Sequence, residues 1–244
     1  MDFEFTDEER MIQKTARDFA RKEVAPRVAE FDRDEFFDVE IIRKMGRLGF
    51  TGGVLPIKYS GSEMSFMALT LMLEELGRVC TFTSVQAGYA SCSGGQGILT
   101  YGTEEQKLKY LAALCRGEKP CATGVTEAHS GTDIVRVMET SVKKSGDDYI
   151  INGTKAWISN LDHAEWFITF AQMDKSKGHK GICAFIIEKN WPGVTVKPYK
   201  NLMGCRSYKT GDLILEDVHV PRENRVGNEI EGYKVLMCGT EIGD

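Results

Sequence analysis

The feature that most constrains the fold of this chain is a change of sequence pattern near Pro120. Before it, apolar residues recur every three or four positions, which is the spacing of one face of a helix. After it, short apolar runs alternate with Gly, Asn and Asp, which is typical of strands joined by turns. The pattern predicts an α+β chain with an all-α helical domain over residues 1–120, a β domain over 121–230 and the start of a further helix in 231–244.

The helical part carries two signals for helix starts and several for burial. The pairs Thr6/Glu9 and Thr103/Gln106 are capping boxes, in which each side chain binds an amide at a helix start. SFMALTLMLEELGRV (65–79) is apolar nearly all round and predicts a buried helix. VQAGYASCSGGQGILTYG (85–102) predicts one helix of small residues, which permit close approach of a ligand or another segment. The predicted buried stripes are Ile12/Ala16/Phe19, Val39/Ile42/Met45/Leu48 and Leu108/Leu111/Leu114.

The β part is predicted from short apolar runs with turn residues between them. The dipeptide Asn152-Gly153 lies between two such runs and predicts a hairpin, because both residues accept positive φ. Four more strands are predicted in EWFITFAQ (165–172), GICAFIIEK (181–189), GVTVKP (193–198) and TGDLILEDVHVP (210–221). Strands of this length and spacing indicate a barrel or a sandwich.

Composition excludes several functional classes. A net charge of −5 argues against nucleic-acid binding. No apolar run approaches the ~20 residues that span a bilayer, so we expect no membrane segment. The N-terminal MDFEFTDEER lacks the features of a secretion signal. The seven cysteines include no Cys-x-x-Cys pair, so we expect reduced thiols, a cytoplasmic location and no metal site.

The segment GVTEAHSGTDIVR (124–136) concentrates polar residues between two glycines. We interpret its start as a strand end, Ser130-Gly131 as a turn, and Thr132-Asp133 as a source of free amides and short capping side chains. Such a loop suits a planar polar ligand or an anion. The same composition is typical of a surface turn, and from this segment alone the turn is the stronger interpretation.

The segment NGTKAWISN (152–160) adds a large ring beside a hydroxyl. Strand alternation predicts that Trp157 and Ser159 share one face, with Ile158 on the other. That face suits the wall of a conjugated cofactor, although a core position is the commoner role for a single Trp.

Together these segments resemble the acyl-CoA dehydrogenase family of flavoproteins. Gly124–Glu127 and Ser130–Asp133 match its first signature, and KAWISN resembles its Trp-Ile-Ser/Thr segment. YGTEEQKLKYL, EDVHVP and EGYKVLM resemble family segments in the same order. The resemblance covers the whole chain and implies a helical domain, a β-barrel domain and a C-terminal four-helix bundle, which is missing here. Arg136 departs from the signature, where a small residue is usual, and puts the usual substrate contacts there in doubt.

The resemblance implies FAD-dependent α,β-dehydrogenation of an acyl-CoA thioester. In this reaction a carboxylate takes the α-proton and the β-hydrogen moves as hydride to the flavin. It also implies electron-transfer flavoprotein as electron acceptor and a homo-oligomer, a tetramer in the family. Thr132 is the implied substrate contact. The implied flavin contacts are Thr123, Gly124, Val125, Thr126, Gly131, Thr132, Trp157, Ile158 and Ser159.

No catalytic base is assigned from the sequence. The family counterpart of Glu127 is not the base, and we expect a solvated or structural role for this carboxylate. His129 falls in a free position of the signature and receives no role. The usual base lies in the bundle, and the position used by a minority of the family falls at Gly243, beside Asp244. Glycine has no group that accepts a proton.

Three functions stay open at this point. The first is an acyl-CoA dehydrogenase, as a fragment or one part of a split enzyme. The second is an oxygen-reactive flavoenzyme on the same scaffold, either an acyl-CoA oxidase or a flavin monooxygenase. The third is a non-catalytic binding or assembly subunit. A hydrolase is disfavoured because the sequence has no Gly-x-Ser-x-Gly elbow.

Overall fold

The computed structural model describes residues 4–91 and 93–238. The helices are α1 Asp7–Phe19, α2 Val28–Arg33, α3 Val39–Arg47, α4 Phe66–Gly77, α5 Thr81–Gly88, α6 Ser93–Tyr101, α7 Glu104–Gln106, α8 Ala112–Cys115, α9 Ile134–Val137 and α10 Gly232–Cys238. The strands are β1 Cys121–Gly124, β2 Ser141–Ser145, β3 Asp148–Ile158, β4 Trp166–Gln172, β5 Ile182–Glu188, β6 Val194–Pro198, β7 Gly211–Val220 and β8 Arg225–Val226. The α+β prediction is confirmed, because α1–α8 precede the first strand.

Both predicted capping boxes are present. The Thr6 amide donates to Glu9 at 2.9 Å and the Glu9 amide donates back to the Thr6 hydroxyl at 3.2 Å. Thr103 and Gln106 make the same exchange at 3.0 and 3.3 Å. The Gln106 side-chain amide also donates to two carbonyl oxygens of the segment 222–226, at 2.7 and 2.9 Å. The second cap therefore joins α7 to the chain around β8.

The helix predictions need three corrections. Val39 and Leu48 are exposed, because the buried face of α3 consists of Ile41, Ile42 and Met45. Leu108 is also exposed, and burial in its segment begins at Tyr110 and Leu111. The helix α4 is buried along most of its length but leaves its first two residues, Phe66 and Met67, exposed.

The small-residue segment forms two helices rather than one. The helix α5 ends at Gly88, and α6 begins at Ser93. Glycine lowers helix propensity, but Gly94, Gly95 and Gly97 lie inside α6 and not at the break. The Ser91 hydroxyl at the break accepts a hydrogen bond from the Val54 amide at 3.1 Å. The break thereby satisfies a polar group of a neighbouring loop.

The strands form one eight-stranded sheet in the order β6-β7-β3-β2-β4-β5-β8, with β1 added in parallel to β4. Alternate residues of β4 enter different cores, as the period of two requires. Trp166, Ile168 and Phe170 pack on the helical side, whereas Phe167 and Ala171 pack inside the β part. The sheet thus carries the helices on one face and a second core on the other.

The predicted hairpin at Asn152-Gly153 is wrong. The strand β3 runs through both residues, and the turn that joins β2 to β3 lies at Gly146-Asp147. Gly153 instead marks a register shift between β3 and β7 and has φ +149°. A Cβ at this position would lie 2.5 Å from the Thr140 hydroxyl oxygen. Close approach of another segment, and not a turn, accounts for the glycine.

Candidate functional site

The loop 124–136 begins where β1 ends against the sheet. A Cβ on Gly124 would lie 3.0 Å from the Thr169 hydroxyl oxygen, so the residue permits close packing on β4. Glu127 and Ser130 then exchange two backbone hydrogen bonds at 2.9 and 3.0 Å. These bonds close a turn over residues 128–129. The turn predicted at Ser130-Gly131 therefore occurs two residues earlier, because Ser130 is a closing residue.

The end of β3 lies directly beside this loop. The Ala156 amide donates to the Thr126 carbonyl at 2.8 Å. Lys155 and Ala156 are both buried, Trp157 is 59% exposed and Ile158 is 2% exposed. Two consecutive buried residues, together with a register shift against β7 between Lys155 and Ile158, form a β-bulge.

Trp157 is presented at the surface by this bulge. Its φ is +60°, in the left-handed region that non-glycine residues seldom occupy. The indole packs edge-on against Tyr199, with ring centroids 4.9 Å apart and an interplanar angle of 76°. The Tyr199 hydroxyl in turn donates to Asp212. The exposed ring is therefore outside the β core.

The turn after β3 connects the β part to the helices. The strand ends at Ile158, so the predicted shared strand face of Trp157 and Ser159 is wrong. The Tyr89 hydroxyl donates to the Ser159 carbonyl at 3.3 Å. Asn160, which we did not single out from the sequence, is buried with φ +63°. Its side-chain amide donates to the Cys121 carbonyl at 2.7 Å, and its oxygen accepts from Gln86.

A buried ion pair joins the loop to β3 from the inside. The Lys155 ammonium lies 2.9 Å from Glu127 Oε1 and also donates to the Val125 carbonyl at 3.2 Å. The two side chains are 0% and 4% exposed. Glu127 further accepts the backbone amides of Glu139 at 2.7 Å and Thr140 at 2.9 Å. Both carboxylate oxygens therefore accept hydrogen bonds, and of the solvated and structural roles expected for Glu127 these contacts fit the structural one.

Electrostatics keep this carboxylate ionised. Burial on its own would raise the pKa of Glu127, but the charge of Lys155 and the hydrogen bonds from Thr140, Glu139 and Lys155 outweigh it. The pKa falls from 4.5 to about 2. Burial lowers the pKa of Lys155, and the Glu127 carboxylate opposes that shift.

Several polar groups around the loop have no partner. The hydroxyl oxygens of Thr123 and Ser130 are buried, and no hydrogen bond reaches them from the described residues. Within the same ranges, the backbone amides of Gly131 and Thr132 find no acceptor. A Cβ on Gly131 would meet nothing within 4 Å. Free donors, orphaned hydroxyls and open space are what a bound polar ligand requires.

Comparison with known proteins identifies the chain. The family model for the acyl-CoA dehydrogenase N-terminal domain matches residues 6–118, and that for the middle domain matches residues 122–218. The chain belongs to the acyl-CoA dehydrogenase family. The resemblance stated from the sequence is confirmed.

Individual family members show the same relation. The chain is 39% identical over 237 residues to the short-chain specific acyl-CoA dehydrogenase of Clostridium acetobutylicum, covering 97% of this chain and 62% of that protein. A chain in the structure of the electron transferring flavoprotein of Acidaminococcus fermentans superposes with a TM-score of 0.92 at 39% identity, covering 98% and 63%. The acyl-CoA dehydrogenase of Bacillus anthracis complexed with FAD gives 0.87 at 34% identity, covering 96% and 40%. The chain thus spans about three fifths of the first two relatives.

The departure from the family signature at Arg136 lies on the short helix α9. Its side chain is 83% exposed and pairs with Asp133 at 2.6 Å. Hydrogen bonding to Arg136 lowers the pKa of Asp133. His129 is 46% exposed, with Nε2 3.3 Å from the Val137 carbonyl oxygen. Among the described residues, neither Arg136 nor His129 contacts the indole of Trp157.

Gly243 and Asp244 lie outside the described residues. In residues 4–91 and 93–238, no group of three His, Cys, Asp or Glu side chains could hold a metal ion. No helix in the same ranges has the length and apolar character that a membrane span needs.

Proposed function

We propose that this chain supplies flavin contacts for FAD-dependent α,β-dehydrogenation of an acyl-CoA thioester. The observation that carries the proposal is the exposed indole of Trp157, fixed at φ +60° beside a loop with unpaired donors. Bulky residues in strained backbone positions persist where surrounding structure holds them, and they cluster at functional sites. The FAD complex of the Bacillus anthracis family member supports the choice of ligand.

The proposed contacts are those that the resemblance to the family implies. Trp157 would stack on the flavin ring system, and the Thr126 hydroxyl would bond its pyrimidine edge. Gly131 and Thr132 would donate backbone amides, and Ser159 would lie at the reacting edge. Thr123, Gly124, Val125 and the buried Ile158 would complete the surface, the last through its backbone. When bound, FAD supplies the acceptor for the hydride that leaves the acyl β-carbon.

Substrate and partners belong to the same proposal. Thr132 would also contact the acyl-CoA, whose class is supported by the Clostridium relative. An electron-transfer flavoprotein is the proposed acceptor, because a chain of this fold occurs in the structure of one. We further propose a homo-oligomer in the cytoplasm and domain boundaries at residues 1–120 and 121–230, with a helix that begins in 231–244.

The proposal is tested by titrating FAD into the purified 244-residue chain and into Thr126→Ala. We expect saturable binding with a shifted flavin absorbance, and a dissociation constant raised about 2–13-fold in the variant for one lost hydrogen bond. Thr154→Ala, on the exposed side of β3, is the matched control and should bind like the wild type. Butyryl-CoA should then change the absorbance of the bound flavin, but flavin reduction without oxygen should be slow, because no catalytic base is assigned in this chain.

Absence of FAD binding would refute the proposal. FAD binding with no change in flavin absorbance on adding acyl-CoA of any chain length would favour a non-catalytic binding subunit. Rapid reoxidation of the bleached flavin by oxygen would favour the oxidase or monooxygenase alternative. Equal affinity of the two threonine variants would remove Thr126 from the site.

A further inference from the structure

The exposure of Trp157 depends on an interruption in the alternation of β3. Thr154 is exposed, Lys155 and Ala156 are both buried, and Trp157 is exposed again. In an uninterrupted strand, residues two apart share a face, so Trp157 would point to the same interior as Lys155. The extra residue of the bulge, marked by the register shift against β7, moves the indole to the outside.

The bulge is held by bonds to residues 125–127 from both of its buried positions. Lys155 donates its ammonium to the Val125 carbonyl at 3.2 Å and to Glu127 at 2.9 Å. The next residue, Ala156, donates its backbone amide to the Thr126 carbonyl at 2.8 Å. Because the loop residues 125–127 include proposed flavin contacts, one set of bonds fixes both walls of the site.

The ion pair is anchored to a third segment. Glu127 accepts the amides of Glu139 and Thr140 at 2.7 and 2.9 Å, just before β2 begins. With both side chains at or near zero exposure, neither charge has access to water as an alternative partner. A buried pair that loses one member leaves the other charge uncompensated, so separating Lys155 from Glu127 within the fold is costly.

We propose that Lys155 is a positioning residue, which holds the bulge through its ion pair with Glu127 and thereby turns Trp157 toward bound flavin. The part concerning flavin rests on the proposed function. The part concerning the orientation of the indole rests on the contacts of the chain itself and is testable without FAD.

The test compares Lys155→Met with Lys143→Met, an exposed lysine of the same sheet, in the full chain carrying Trp191→Phe. Trp166 is 1% exposed, so acrylamide quenching then reports mainly Trp157. We expect Lys155→Met to lower the quenching constant at least twofold. FAD titration should show a dissociation constant raised roughly tenfold or more, as expected for loss of an aromatic stack. Lys143→Met should leave both unchanged.

A double variant, Glu127→Gln with Lys155→Met, covers the case in which the single variant does not fold, because it removes both buried charges. It should show the same change in quenching and FAD affinity. A folded variant with wild-type quenching and wild-type affinity would overturn the proposal. A wild-type chain that does not bind FAD, combined with lower quenching in Lys155→Met, would refute the proposed function and support the positioning role.

Discussion

The strand β3 has two register shifts against β7, at Gly153 and near Trp157, with opposite structural consequences. At Gly153, the chain has φ +149° and no side chain, and a Cβ would lie 2.5 Å from the Thr140 hydroxyl oxygen. At Trp157, four residues later, the backbone is again at positive φ, +60°, but the residue carries the largest side chain of any amino acid. The first irregularity brings two segments together, whereas the second turns a side chain away from the core.

The two positions differ in how strain is handled. Gly153 avoids it, because glycine populates positive φ readily. Trp157 accepts a cost of about 1–3 kcal/mol for its backbone conformation, and the bonds of Lys155 and Ala156 to the neighbouring loop offset it. A position that serves stability alone would be filled more favourably by glycine. The comparison therefore assigns packing to Gly153 and supports the ligand contact proposed for Trp157.

Gly153→Ala should give the largest loss of stability. The added methyl combines an overpacked contact with an unfavourable φ, and together these cost roughly 3–5 kcal/mol. Urea unfolding followed by circular dichroism measures the change. Gly146→Ala is the matched control, because this glycine has φ +64° but nothing within 4 Å of a Cβ. It should cost about 1–2 kcal/mol. Equal losses of unfolding free energy in Gly153→Ala and Gly146→Ala would show that close packing at Gly153 does not matter.

Local sequence signals predicted much of the fold. The capping boxes at Thr6 and Thr103 and the strands β4–β7 lie where the sequence places them, because each depends on neighbouring residues. The hairpin failed at Asn152-Gly153 because the glycine serves a contact with Thr140, which no local pattern reveals. Exposure of Phe66 was missed for a similar reason, since helix coverage depends on which helices pack there.

The site was predicted less completely than the fold. The loop at Thr126 and the ring of Trp157 were both predicted, and the structure joins them through the Ala156 amide; their contact with flavin stays a prediction. Lys155 and Asn160 were not singled out. A lysine is normally exposed, and its burial follows from a partner, Glu127, that lies 28 positions earlier. Asn160 had one local signal, because asparagine tolerates the left-handed conformation that a turn requires.

The ion pair beneath Trp157 gives the next largest effect, and it depends on pH. The pKa of Glu127 in the folded chain is about 2, below its ordinary 4.5. The ionised carboxylate therefore contributes its full stabilisation of the folded state above pH 4.5, and this stabilisation is lost as pH falls toward 2. We expect Glu127→Gln to be less stable than the wild type by at most about 3 kcal/mol at pH 7, with the difference vanishing near pH 2. Urea unfolding across this range measures it.

Glu104 is the control for this prediction. Its pKa is also about 2, because it accepts hydrogen bonds from Lys58 and Tyr59, but its side chain is 51% exposed. Glu104→Gln should have a smaller effect that decreases with salt, since exposed pairs are screened. If salt reduced the stability loss of Glu127→Gln as much as that of Glu104→Gln, the result would contradict a buried ion pair between Glu127 and Lys155.

Trp157→Ala should give the smallest change in stability and the clearest change in ligand binding. The free energy of unfolding of the apoprotein should change by less than about 1 kcal/mol, because the ring is largely exposed. Trp166→Ala, which empties a core position, should cost about 3–5 kcal/mol.

The central claim is that Trp157 is held outside the β core to bind flavin. An FAD titration of Trp157→Ala beside its urea unfolding curve tests this directly. We predict an apoprotein nearly as stable as the wild type with FAD affinity lowered about 5-fold to 150-fold, as loss of an aromatic stack implies. A large loss of apoprotein stability with unchanged FAD affinity would contradict the account.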